Sequence, residues 1–530
     1  MLKPEQMSPE EKIGRILCFR RFEEEDDIRF TLDMIKRGAC GALQIPINDK
    51  AEKLIKRFRA AADYPLLVVN DMEMGFPLSN IPRAPLATLA AANNPEYIRA
   101  FAAHTASEAK KHGYSGCWGP VVDILHTDGL GKCSLGRVAG DNPERVLKVT
   151  EEIYKTYASY NFHSTGKHYP GGKDVHLDTH MFGAVSGVTE EELLSFDLVP
   201  YLELMKKELL PAIMVGHTTY KNIDPEYPAS LSKKVIDIIR KRGFDGVIYT
   251  DSFAMMAILQ KYGEKKAYSL AIMAGNDIIL PNYRTPTKEV FEMVLDEYKA
   301  GFITEERLNE AVRRVMALEE YCARTPEAPV APPTDIVEVM NNCARDSVTA
   351  MCDDGVPAAI ANPDKKRLFV AIIPQGQTAE VSGEVEMKIV YNPTVIANSI
   401  KRNFPNSDVE FIHEFPSPTD NEHVLAMASS YDEVVFVTYC SFAAYMGSNG
   451  FTRRIESVIN SLVMSGKVEA IVHFGNPFAL EELLHVKRTL LLYNASAAIP
   501  YAFEILAGKY PAKGVYPLEL ELRSNCLYKI

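Results

Sequence analysis

The sequence predicts a (β/α)8 TIM barrel followed by a smaller α/β three-layer sandwich domain. Three observations carry that prediction. Short apolar runs alternate with segments of helical period from about residue 10 to about residue 320, a proline-rich stretch then interrupts the alternation, and four more apolar runs separated by helical segments follow it.

In chain order the strands of the first part are RILCF near residue 17, GALQIPI, PLLVVND, GCWGPVVDI, FHSTGKHY, PAIMVGHT, GVIYTD and NDIILP. Helical patterns separate them, which is the βα repeat of a parallel sheet. PEYIRAFAAHTASEAKKHG and NPERVLKVTEEIYKTYASYN place apolar residues near i, i+3, i+4 and i+7, and the first ends in a glycine stop. Eight such units close as a barrel over residues 1–322, with a doubly wound open sheet as the alternative. Residues 323–335, ARTPEAPVAPPTD, hold four prolines and read as a linker, because so many missing N–H groups defeat any regular element. Beyond it LFVAIIP, EVVFVTY, EAIVHFG and TLLLYN, spaced by RIESVINSLVMSG and PFALEELLHV, make a second α/β domain over 336–530.

Composition narrows the function. The 530 residues are 47% hydrophobic and 24% charged, enough for a sizeable core. A net charge of −12 without a basic patch argues against nucleic acid. No window approaches the roughly 18 apolar residues of a spanning helix, so no membrane partner is expected. The stretch MLKPEQMSPEEKIGRILCF lacks the basic start and apolar run of a secretory signal, and the nine cysteines are scattered without CxxC spacing. These features predict a reduced, cytoplasmic protein; they do not choose between a monomer and a homodimer.

A barrel places its chemistry at the C-terminal ends of its strands. The polar residues expected there are Asp71, Asp123, Lys167 with His168, His217, Asp251, and Asn276 with Asp277 near the last strand. A carboxylate that closes an apolar run, as Asp251 closes GVIYTD, is costly unless a partner or a function holds it; the bland reading is a helix N-cap. The stretch KHYPGGKDVHLDTH, Lys167 to His180, contains three histidines, two aspartates and two lysines. Pro170-Gly171-Gly172 would break a helix, and a buried strand could not partner so many ionisable groups. It reads as a polar loop of the kind that carries catalytic residues.

Taken together these segments resemble the family 3 glycoside hydrolases, in the two-domain form of their β-N-acetylglucosaminidase branch. KHYPGGKDVHLDTH is similar to that family's K-H-F-P-G-H-G-x4-D-[ST]-H signature. IMVGHTTY, PASLSKKVI and GFDGVIYTDSFAM follow in the family's order, VVNDMEMG resembles its D-x-E-G-G motif, and GRVAGDNPE its R-S-F-G-x-D-P motif. The resemblance implies that Asp251 is a carboxylate nucleophile, that His180 oriented by Asp178 is the acid/base, and that Asp71, Arg137, Lys167 and His168 bind sugar hydroxyls; His217, after PAIMVG, reads as part of the wall that contacts substrate or as support behind it. In an extended segment residues i and i+2 share a side, so Asp178 can hold one ring nitrogen of His180 while the other faces the glycosidic oxygen. The substrate so implied is a small carbohydrate, an N-acetylglucosaminide, with no cofactor and no metal.

Three segments depart from the pattern where it bears on the site. Gly171-Gly172-Lys173 stands for Gly-His-Gly, Met74 replaces a glycine, and Ser79 replaces an arginine for which Arg83 or Lys173 are the candidate substitutes. The competing functions are a phosphorylase using the same residues, a metal-dependent barrel hydrolase, and a non-catalytic sugar binder. The metal reading would want His-x-His on an early strand, which the first strand does not offer. Trp118, the single tryptophan, is either a sugar platform or, more simply, core. His163 and His176 read as strand and loop residues.

Overall fold

The computed structural model describes residues 3–126, 136–172, 182–360, 362, 365–373, 378–381, 384–387, 392–440, 450–493 and 495–519. The described residues fall into two compact units, one of Met1–Ser79, Ile98–Gly131 and Asn142–Thr334, the other of Asn80–Tyr97, Lys132–Asp141 and Asp335–Ile530.

In the first unit β1 (Cys18–Phe19), β2 (Ala42–Gln44), β3 (Leu67–Asp71) and β4 (Gly116–Trp118) form a parallel sheet in that order. β5 (Thr165–Tyr169), β7 (Ala212–Val215) and β9 (Val247–Thr250) form a second parallel sheet, while β6 (Val185–Ser186) and β8 (Thr219–Tyr220) pair apart from it. Parallel bridges join the two main sheets at both edges: Gly116 to His163 and Val121 to Lys167 on one side, Tyr249 to Ile278 and Leu17 to Ile279 on the other. The last joint is secured by Cys18 N–H on Ile279 O and Ile279 N–H on Ile16 O, both 2.9 Å. The ring therefore closes through the predicted eighth run, NDIILP, and the open sheet is excluded.

Side chains alternate across this wall as the pleat requires. Ala212, Met214, Val247 and Tyr249 share one cluster with Leu67, Val69 and Trp118. Ile213, Val215 and Ile248, one residue out of phase, pack instead with the helical Val235, Ile236, Ile239, Tyr201 and Leu204. Truncating Ile213 or Ile248 to alanine would cost about 2–5 kcal/mol. Trp118 of β4 meets Tyr249 of β9 edge-on at 6.1 Å although the two strands are not neighbours, so the tryptophan fills the barrel interior. Helices Pro95–Lys111 and Pro143–Ser159 lie where the periodicity predicts them. Asn142 caps the second by accepting from Arg145 N–H at 3.0 Å, satisfying an N–H that has no partner inside the helix. Helix Glu305–Ala323 ends on the first residue of the proline-rich stretch, and helix Ile336–Asp346 starts directly after it.

In the second unit β10 (Thr349–Cys352), β11 (Arg367–Ile373), β14 (Ser407–His413), β15 (Glu433–Cys440), β16 (Val468–Gly475) and β17 (Arg488–Leu491) form one sheet in the order β10-β17-β16-β15-β11-β14. All pairings are parallel except β10 with β17. A short hairpin, β12 (Thr378–Val381) and β13 (Glu384–Met387), stands apart from this sheet. Leu368, Val370 and Ile372 pack with Val424, Ala428, Ile455 and Ile459, while Phe369 and Ala371 pack with Ile396, Ile400, Ile499 and Phe503. Helices thus cover both faces, which is the three-layer sandwich and the reason its strands read as continuous apolar runs. The sequence reading found β11, β15, β16 and β17 but not β10 or β14. Those two are the edge strands, whose residues TAMC and SDVEFIH are largely half-exposed and carry too little apolar signal. No helix among the described residues is long and apolar enough to cross a membrane.

Candidate active site

Asp251 follows directly on β9, and its N–H extends the ladder to Val215 O at 2.9 Å. Its Oδ1 accepts from the Ser252 N–H at 2.7 Å. Burial pushes the carboxyl up, but the charges of His168, His217 and Lys167 and the Ser252 N–H outweigh it, and the group lies below the usual carboxylate range. Asp251 is therefore ionised at neutral pH. It is not a helix cap: the next helix, Met256–Tyr262, starts behind Met255.

Lys167 and His168 come from β5. The Lys167 side chain, 3% exposed, directs Nζ to Asp71 Oδ1 at 2.7 Å and Glu73 Oε1 at 2.6 Å. A buried ammonium needs such compensation, and two carboxylates supply it from the end of β3 and the turn beyond. Asp71 remains half-exposed, with oxygen free to face solvent or ligand. Asp123 clamps His168 twice, accepting from its backbone N–H at 2.7 Å and pairing with Nδ1 at 2.8 Å, which aims the ring.

His217, buried after β7, holds Ser230 Oγ through Nδ1 at 2.8 Å and Ser252 O through Nε2 at 3.1 Å. A carbonyl only accepts, so Nε2 carries a proton. Both ring nitrogens thus have protein partners, and His217 braces the segment behind Asp251. Arg20, directly after β1, bonds Gln44 Oε1, Ser252 Oγ and Pro281 O. Burial draws its guanidinium below the usual range, against the opposing influence of Cys18, Asp71 and Asp251 among others.

Asp178 and His180 lie outside the described residues, as do Lys173 and His176. The stem of their loop is described. Gly171 has φ +133°, and a Cβ there would stand 2.6 Å from the Cβ of Asp197, so only glycine fits. Tyr220 donates to Gly171 O, and Asp197 pairs with His126 at 2.7 Å. Arg137 and Arg83 belong to the second compact unit, and Ser79 Oγ is bonded to His104 Nε2 at 2.5 Å.

One expectation is corrected. Asn276 and Asp277 precede Ile278 and lie beside the N-terminal half of β9, where Asp277 exchanges hydrogen bonds with Ile248. Burial would raise the Asp277 carboxyl, but Arg240, Arg307 and Arg314 hold it low; it is a structural clamp at the end away from Asp251. His163 is fully buried against Tyr249, and desolvation depresses its imidazole to about 3, so it stays neutral core. Among the described residues no group of three or more His, Cys, Asp or Glu is arranged to hold a metal ion.

Asp123 is among the strand-end residues expected from the sequence, which gave it no role; Glu73 and Arg20 are the participants that sequence reasoning missed. Each is a charged residue just past a strand end, the signal that would have found them.

A closed parallel barrel with an ionised carboxylate at one strand end, ringed by imidazoles and an ammonium, has the make-up of a barrel enzyme that works by nucleophilic and acid/base chemistry. Residues 10–318 match the family described as Glycosyl hydrolase family 3 N terminal domain, and the chain belongs to that family. It is 30% identical over 238 residues to a beta-hexosaminidase of Tolumonas auensis, covering 43% of this chain and 69% of that one. It is 32% identical over 252 residues to a beta-hexosaminidase of Xanthomonas oryzae, covering 44% and 72%. Among solved structures it resembles a glycoside hydrolase family 3 beta-N-acetylglucosaminidase from Paenibacillus sp., with a TM-score of 0.81 at 23% identity over 98% of this chain and 100% of that one. A beta-glucoside phosphorylase gives a TM-score of 0.81 at 20% identity over 97% and 95%. At such identities these structures speak for the fold.

Proposed function

We propose that the protein is a retaining, exo-acting β-N-acetylhexosaminidase that releases N-acetylglucosamine through a covalent glycosyl-enzyme on Asp251. The observation that carries the reading is the ionised Asp251 carboxylate beside the Lys167, His168 and Asp71 cluster, and the beta-hexosaminidase names of its relatives support it.

In the first step Asp251 attacks the anomeric carbon while His180 protonates the departing oxygen; in the second His180 takes a proton from water, which displaces Asp251. Asp178 holds the tautomer of His180 and stabilises its imidazolium. Asp71, Lys167 and His168 bond the sugar hydroxyls. The enzyme acts in the cytoplasm as a monomer or homodimer. Phosphorolysis is the second reading, because an imidazole shuttle carries no negative charge to repel phosphate.

The test is a 5-fluoro N-acetylglucosaminyl trap followed by peptide mass spectrometry, with NMR of the first product. Label on Asp251 and a β-configured product are expected. Label elsewhere or an inverted product would overturn the mechanism, and sugar 1-phosphate formed in phosphate buffer would select phosphorolysis. Turnover of an aryl N-acetyl-β-glucosaminide should fall by several orders of magnitude in Asp251→Asn; equal rates in both proteins would favour a binder.

A further inference from the structure

Arg20 has no role in the steps above, yet its guanidinium reaches three other strand ends. It bonds Gln44 Oε1 at the end of β2, Ser252 Oγ at 2.7 Å beyond β9, and Pro281 O at 2.7 Å beyond the closing strand. We propose that Arg20 is a positioning residue for the nucleophile, holding Ser252 so that the Ser252 N–H stays on the Asp251 carboxylate.

Ser252 is the node of this arrangement. Its N–H donates to Asp251 Oδ1 at 2.7 Å, its carbonyl accepts from His217 at 3.1 Å, and its Oγ accepts from Arg20 and from Ala254 N–H at 3.3 Å. With side chain and carbonyl both tied, the peptide linking residues 251 and 252 has little freedom to turn its N–H away. A guanidinium suits the task because its planar fork makes several bonds with little loss of freedom per bond, where a lysine makes a point contact. The Tyr283 ring, 5.5 Å from Arg20 Cζ, adds a cation–π contact. A nucleophile held in place before substrate arrives need not be ordered during the reaction.

The inference rests on Asp251 being the nucleophile, so the labelling experiment is run on wild type beside it. Arg20→Met, Arg20→Lys, Ser252→Ala and the Arg20→Met/Ser252→Ala double variant are compared on an aryl N-acetyl-β-glucosaminide, each checked by thermal melting. Losing one charge-assisted bond should lower kcat roughly 10- to 100-fold with KM nearly unchanged, and move the acidic limb of the pH profile upward. Arg20→Lys should restore part of the loss, and the double variant should be no worse than Arg20→Met, since both cut one connection. A raised KM at constant kcat, an unmoved acidic limb, or additive losses would overturn the inference while Asp251 still takes the label. Label on another residue would overturn the nucleophile and this inference together. Should Arg20→Met fail to fold, Arg20→Lys and Ser252→Ala decide by the same kcat and pH criteria.

Discussion

Asp123→Asn tests how far the site depends on an aimed His168. The carboxylate accepts from the His168 N–H at 2.7 Å and meets Nδ1 at 2.8 Å. Asparagine keeps one oxygen for the backbone N–H but turns an amide NH2 toward the ring, so one charge-assisted bond is lost. Such bonds are worth about 1.5–3 kcal/mol, and at 1.36 kcal/mol per factor of ten the loss in kcat/KM should be roughly 10- to 100-fold. A second effect follows, because His168 is the charge that does most to hold Asp251 low against its burial. A ring free to swing away weakens that hold, and the Asp251 carboxyl rises. The acidic limb of the kcat/KM profile should therefore move toward neutral pH. Steady-state kinetics across the acid range, with circular dichroism to confirm folding, measures both effects. Wild-type kcat/KM and an unmoved limb would refute the claim that Asp123 organises the site.

Three further outcomes are expected. His180→Ala should cost about 10²–10⁴ in rate on natural glycosides and far less on aryl substrates whose leaving groups need no proton; equal losses on both would remove it as proton donor. Gly171→Ala, with its Cβ driven against Asp197 at φ +133°, should destabilise by about 1–3 kcal/mol in denaturant melts, whereas Gly172→Ala, which meets nothing within 4 Å, should be mild. In the second unit the Glu482 carboxyl is raised to about 7, first by its hydrogen bond with Glu456 and then by burial, with Arg453 opposing and Glu481 adding to the rise. Glu456 also has a buried oxygen, Oε1, that a proton on Glu482 can satisfy. A raised folded-state value stabilises at low pH and loses that contribution as pH climbs from the ordinary carboxylate range through about 7. Melting temperature should fall across that window, and Glu482→Gln should flatten it.

The eight barrel strands and the four inner strands of the sandwich were legible because their side chains are buried in apolar runs of fixed period, a signal local to each segment. β10 and β14 escaped because an edge strand needs little apolar surface, and Asn276 and Asp277 were assigned to the wrong end because residues flanking a short strand look alike from either side. Asp251, Lys167 and His168 were legible as costly polar groups closing apolar runs, and their proposed roles come from the resemblance. What could be read from the residues alone was the βα alternation of the barrel, the apolar inner strands of the second sheet, and which ionisable residues need an explanation. The folded chain alone reveals that Ile279 returns to Leu17 and closes the ring, that Glu73 shares Lys167 with Asp71, that Asp123 aims His168, and that Arg20 reaches Ser252 across 232 positions of chain. Those pairings depend on distances set by barrel closure, and nothing local to a residue records which distant partner closure will bring to it.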